Sequence, residues 1–413
     1  MAGCAPVQSG PTGSATDAKD GTLRVWLFDE VNRAPKQAVV DEAIKEFTAS
    51  RPNVKVDVQY IQVNTRAERF KAAFSDAKSA PDVAEFGNTD LANYVAAGGF
   101  ADLSADVSAW SEGKDLAPKI AETGKVDGKL YGVPWFVGVR ALYYRTDVFT
   151  ELGLQPPKTL AELAPLARQI RKAKPDLYGI SVGGKYTYGM LPFVWSAGGD
   201  LAKGDGGKFS SAIDSPQARA GLARYTELIN DDICPASACA PNGGDASVQA
   251  FASGKAAMTI GGDFNRKAVE AGAAKGKFAV VPLPGETAGS VAPAFAGGNL
   301  LGISRSTERR TLAKEFLQLL AGKNYQRKMY TAMGNLPTFS DVQREVSGND
   351  EFTKPFIATL EAGTKFVPVT PAWAKIDAQT VVPNMIQQVV TKQKSVDEAS
   401  AEAAKLMNTA FTS

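Results

Sequence analysis

The stretch TLRVWLFDEVNRAPKQAVVDEAIKEFTASRPNVKVDVQYIQVNTRAERFKAAFSDAKSAPDVAEF, residues 22–86, decides the fold. Its opening, TLRVWLF (22–28), is a run of strand formers. PKQAVVDEAIKEFTAS (35–50) then sets Val39, Val40, Ala43, Ile44 and Phe47 on one helical face. NVKVDVQYI (53–61) alternates, with Val54, Val56, Val58 and Tyr60 on one side of a half-buried strand. NTRAERFKAAFSDAKS (64–79) stacks Ala67, Phe70, Phe74 and Ala77 behind a cap at Asn64 or Thr65. PDVAEF (81–86) is a short buried strand, and TDLANYVAAGG (89–99) is a helix closed by Gly98 and Gly99. Strand and helix alternating in this way predict an α/β fold with a doubly wound, mainly parallel sheet.

The pattern recurs downstream with different spacings. KVDGKLYGVPWF (125–136) reads as a hairpin or crossing segment, and RALYYRTDVF (140–149) as a strand entering a turn. Thr159 and Glu162 have capping-box spacing before one helix. Ser215 and Pro216 fit the cap and first position of another. A strand is expected at 256–260 and an amphipathic helix ending at Gly322. Segments rich in Pro and Gly near 130–138, 282–298 and 334–338 suit a chain that crosses several times between two bodies.

Composition narrows the chemistry. The chain has 413 residues, enough for two domains or one large cleft-split body. It contains no histidine, which removes Ser-His-Asp and Cys-His catalysis, histidine-ligated zinc and histidine general bases. With 46 basic and 44 acidic residues, no charge field points to nucleic acid or an anionic surface. No phosphate loop, G-x-S-x-G or dinucleotide fingerprint occurs. Neither a cofactor nor a metal is expected. Cys234 and Cys239 lie in the loop DDICPASACAPNGG, where a local disulfide is the favoured reading over two free thiols or half a metal site. Such a bridge belongs to an oxidising compartment. Cys4 precedes a small, polar stretch (5–21) with the composition of a tether.

In order along the chain, TLRVW, APDVAEFGNTDLANYVAAGGFADLS (80–104), VDGKLYGVPWFVGVRALYYRTDVFTELGLQPPKTLAEL (126–163), FASGKAAMTIGGDF (251–264), FAGGNLLGISRSTERRTLAKEFLQLL (295–320) and MGNLPT (333–338) resemble the extracellular solute-binding proteins of sugar ABC importers, the maltose-binding-protein-like group. The resemblance spans nearly the whole chain and is nearest to actinobacterial receptors. It implies a two-lobed type II periplasmic-binding fold with a ligand cleft, several hinge crossings and closure by lobe movement. The expected division is a tether at 1–20, a first lobe of 21–134 with 290–330, and a second of 135–289 with 331–413. The implied ligand is a mono- or small oligosaccharide and the implied partners are the importer's permease and ATPase. AGC (2–4) looks like the end of a lipoprotein signal, with Cys4 the lipidated residue of an otherwise monomeric protein on the outer face of the membrane.

The ends of the strands nominate the site, since open α/β sheets bind ligands there. They deliver Phe28, Asp29 and Glu30; Asn88 and Thr89, which double as helix caps, with Asp90; and Asp263 and Phe264. Sugars need directional hydrogen bonds to their hydroxyls and flat aromatic surfaces for their C–H faces. Trp135, Trp195 and Trp373 are candidate platforms, with packing as the alternative for each. Arg140 interrupts the apolar run FVGVRALYY and needs a ligand or a carboxylate. Asn299 follows two glycines that permit close backbone approach, and Tyr186 and Tyr188 are further loop candidates. Two other classes compete with a sugar receptor. One is a same-fold receptor for a polyamine or polyol phosphate. The other is a carboxylate glycosidase built on a pair such as Asp29 and Asp263.

Overall fold

The computed structural model describes residues 17–30, 32–205 and 208–412. Cys4 lies outside these residues. Among them, no helix is long and apolar enough to cross a membrane.

The first lobe is built on a five-stranded sheet ordered Val54–Ile61, Gly21–Phe28, Val83–Gly87, Gly297–Ile303, Val133–Gly138. The first three strands are parallel, and Gly297–Ile303 runs antiparallel to both its neighbours. Both faces are covered, as the apolar run 22–28 requires. Leu23, Val25 and Leu27 pack with Val39, Val40 and Phe47 of the helix Ala34–Thr48 on one side. Trp26 and Phe28 pack with Phe70, Phe86 and Phe100 on the other, where Phe86 and Phe100 stack at 4.3 Å. Strand topology brings Phe28, Gly87, Asn299 and Gly138 to one edge of this sheet, because Asn299 pairs with Gly87 and Gly297 with Gly138.

The chain leaves that edge at Gly138 and becomes Arg140–Arg145, the centre of the second lobe's sheet, between Met258–Gly262 and Phe278–Val281. Here the expectation of mainly parallel pairing is corrected: both pairings are antiparallel. Parallel contacts with this sheet include the bridges from Tyr178 to Ala256 and Ser181 to Thr259. Register places Arg140 opposite Gly262, so Asp263 and Arg140 emerge together facing the first lobe.

Local rules hold unevenly. Asp127 and Gly128, with φ of 48° and 76°, turn the hairpin between Lys125–Val126 and Lys129–Leu130. Ser215 caps its helix through the Ala218 N–H, with Pro216 first inside it. The capping box at Thr159 does not form, because the Glu162 carboxylate instead accepts the Lys158 N–H at 2.7 Å. Trp135, Phe339, Val342 and Val346 pack into the first lobe's core, beyond the residues assigned to it from sequence. Cys234 and Cys239 are joined by a disulfide, their Cα atoms 6.2 Å apart.

Candidate functional site

A pocket of about 430 Å³ lies where the two sheet edges meet. The first lobe contributes Phe28, Glu30, Val63, Arg66, Thr89 and Asp90. The crossing strands contribute Phe136, Gly138, Gly298 and Asn299, and the second side adds Arg140, Asp263, Phe264 and Phe295.

Each polar group is held from behind. Glu30 is ion-paired with Lys36 at 2.9 Å and Asn299 donates to Glu85 at 2.6 Å. Arg66 pairs with Asp90 at 2.7 Å, both on the first lobe. The Arg140 guanidinium sits among the rings of Tyr186, Tyr188 and Phe264, 5.5, 5.1 and 5.7 Å from their centroids. Its Nε donates to the Tyr186 hydroxyl at 2.7 Å, and among the described residues it forms no ion pair. One Asp263 oxygen accepts the Val139 N–H at 2.9 Å, while the other is buried with no hydrogen-bond partner among the described residues. Burial pushes this carboxyl up to about 7, against the smaller opposing pull of the Val139 N–H and Arg140. Asp377, on the second lobe's helix Pro371–Ala378, is also raised by burial, with Arg66 of the first lobe opposing and Asp90 reinforcing the shift.

The candidates from sequence divide accordingly. Phe28, Glu30, Thr89, Arg140, Asp263, Phe264 and Asn299 come together around the pocket. Asp29 instead binds Arg33 at 2.6 Å and Gln62 at 2.8 Å. Asn88 donates to the Ala296 carbonyl and lines a small adjoining cavity of about 40 Å³. Tyr186 is buried behind Arg140. The three tryptophans are corrections. Trp135 packs in the first lobe's core; Trp195 and Trp373 pack in the second's, where the Trp195 indole donates to Asp200 at 3.0 Å. Apolar area decides this, since burying a whole indole inside outweighs exposing it at a rim.

The aromatic residues lining the pocket are phenylalanines, and Phe136 and Phe295 were not anticipated. Strand alternation was the available signal for Phe136, because a core-facing Trp135 turns its neighbour the other way. Arg66 was also missed. It opens the helix Arg66–Ser75, and only the fold brings it to Asp90.

A family model described as bacterial extracellular solute-binding protein matches residues 42–356. The chain belongs to this family. The diacetylchitobiose binding protein DasA of Streptomyces coelicolor is 30% identical over 399 residues, spanning 94% of this chain and 89% of its own length. The galactooligosaccharide-binding protein of Bacillus subtilis is 24% identical, covering 86% of this chain and 84% of that protein. The structure of the sugar-binding protein MalE from Xanthomonas citri superposes with a TM-score of 0.82 at 25% identity, over 95% of this chain and 98% of that one. This solute-binding protein has the two-lobed type II fold that the resemblance implied.

Proposed function

We propose that this solute-binding protein captures a mono- or small oligosaccharide between its lobes and delivers it, unchanged, to an ABC permease. The observation that carries the reading is the composition of the interlobe pocket. Carboxylates (Glu30, Asp90, Asp263), guanidinium groups (Arg66, Arg140) and an amide (Asn299) surround a space also lined by Phe28, Phe136, Phe264 and Phe295, of which Phe136 and Phe264 are the more exposed. That set offers acceptors and donors to hydroxyls and flat faces to sugar C–H groups. Its volume of about 430 Å³ is at the small end of ligand pockets. The names of DasA, the galactooligosaccharide-binding protein and MalE agree with a carbohydrate. Cys4 is proposed as the lipid anchor of a monomer at the outer face of the membrane, and binding proceeds without turnover.

One observation favours a second ligand class. Arg140 has no carboxylate partner among the described residues, so an acidic sugar or polyol phosphate would satisfy it. A thermal-shift screen of the whole chain distinguishes the two. Its panel is N,N′-diacetylchitobiose, galacto-oligosaccharides, maltose, glucuronate and glycerol phosphate. Ligand at about 100 times Kd stabilises by about 2.7 kcal/mol. The neutral sugars are expected to raise the melting temperature and the anions not; a shift with the anions alone transfers the assignment to them.

A further inference from the structure

Glu30 and Asn299 reach the pocket from separate elements, and both are tied to one pair of charges behind it. Lys36 and Glu85 have fully buried side chains 2.8 Å apart. The Lys36 ammonium donates to Glu85, to Glu30 at 2.9 Å and to the Phe28 carbonyl at 3.0 Å, so its three hydrogens are all used. Glu85 accepts the Phe28 N–H at 2.7 Å on one oxygen and the Asn299 amide at 2.6 Å on the other. The Trp135 ring lies 5.2 Å from the ammonium.

A buried ion pair is a poor source of stability. Two apolar side chains of the same volume would avoid its desolvation cost, whereas losing one partner strands a charge. What the pair supplies is direction. Its outward bonds end on Phe28, Glu30 and Asn299, three residues that line the pocket, while neither Lys36 nor Glu85 lines it. We propose that Lys36 and Glu85 are positioning residues, a buried pair that fixes Glu30, Asn299 and the Phe28 backbone for ligand capture without touching the ligand. Fixing them beforehand removes part of the ordering cost of binding. The binding half of the test rests on the carbohydrate reading; the structural half does not.

The test replaces the pair by the near-isosteric neutral set Lys36→Met with Glu85→Gln in the whole chain. A crystal structure of this ligand-free variant should show the Glu30 carboxylate and Asn299 amide displaced or split between conformers. Both groups found unmoved would overturn the proposal. Calorimetry with N,N′-diacetylchitobiose should show affinity reduced by roughly tenfold or more. On a Glu30→Gln, Asn299→Ala background, the same replacement should change affinity by less than about twofold, because the pair acts through those two groups. Undiminished affinity, or a loss that simply adds on that background, contradicts the mechanism. If wild-type protein does not bind the probe, the reading for that sugar fails while the crystal structure still decides the positioning role. If the variant does not fold, hydrogen exchange of the wild-type Asn299 side-chain amide decides instead. Protection without ligand is expected, and free exchange overturns the proposal.

Discussion

At the scale of single residues, burial moves Trp373 out of the ligand site and exposure keeps Phe264 in it. Phe264 is 45% exposed at the pocket, whereas Trp373 is 2% exposed in a core. Phe264→Ala should therefore weaken ligand affinity by roughly tenfold with little change in the melting temperature of the empty protein. Trp373→Ala should cost about 3–5 kcal/mol of stability, in the range of a large ring deleted from a core. Calorimetry and denaturant unfolding of both variants check the pair, and the opposite assignment would return Trp373 to the cleft.

Asp263 makes a second residue-scale prediction. Its carboxyl is raised from 3.8 to about 7 by burial, so between those values the folded chain holds a proton that the unfolded chain has released. That difference lowers stability as pH rises through the window, and the loss is complete above the folded value. Asp263→Asn removes this dependence while keeping an acceptor for the Val139 N–H. Its melting temperature should gain on the wild type between about pH 5 and about pH 8; a difference that stays constant with pH would contradict the burial argument.

At the scale of elements, the close approach of two neighbouring strands shapes the sheet edge that carries the site. Gly298 has φ of 152°, and a Cβ there would lie 2.3 Å from the Phe136 carbonyl oxygen. Gly298→Ala should thus disturb the pairing of Gly297–Ile303 with Val133–Gly138, which carries both Asn299 and Phe136 to the site. A stability loss of about 1–3 kcal/mol accompanied by weaker binding is expected. Unfolding and titration of the variant measure both, and a neutral substitution would show that this close approach is not required. Elements were also where sequence was most legible. Residues 22–28 and 35–50 carry their periodicities locally, and the helix buries Val39, Val40, Ala43 and Phe47 as read. The capping box at Thr159 was misread because Glu162 had a nearer backbone donor in Lys158, a choice that spacing does not encode.

At the scale of the whole molecule, what escaped the sequence was long-range pairing. Strand Arg140–Arg145 takes both antiparallel partners from residues more than a hundred positions later, and no local signal states their direction. The pocket has the same origin. The strand-end rule found Phe28, Glu30, Asp263 and Phe264, but Arg66 with Asp90 and the buried Lys36 with Glu85 exist as pairs only in three dimensions. The apolar positions could be read individually, whereas the polar ones acquire meaning from partners contributed by distant strands.

Groups from both lobes are proposed to capture one intact carbohydrate. Calorimetric titration of the whole chain with N,N′-diacetylchitobiose, followed by chromatography of the sugar recovered from the cell, tests this most directly. Saturation at one ligand per chain, micromolar or tighter, is expected, with the sugar returned unaltered. Absence of binding to this sugar and to every other carbohydrate of the screen, or recovery of cleaved sugar, would contradict it.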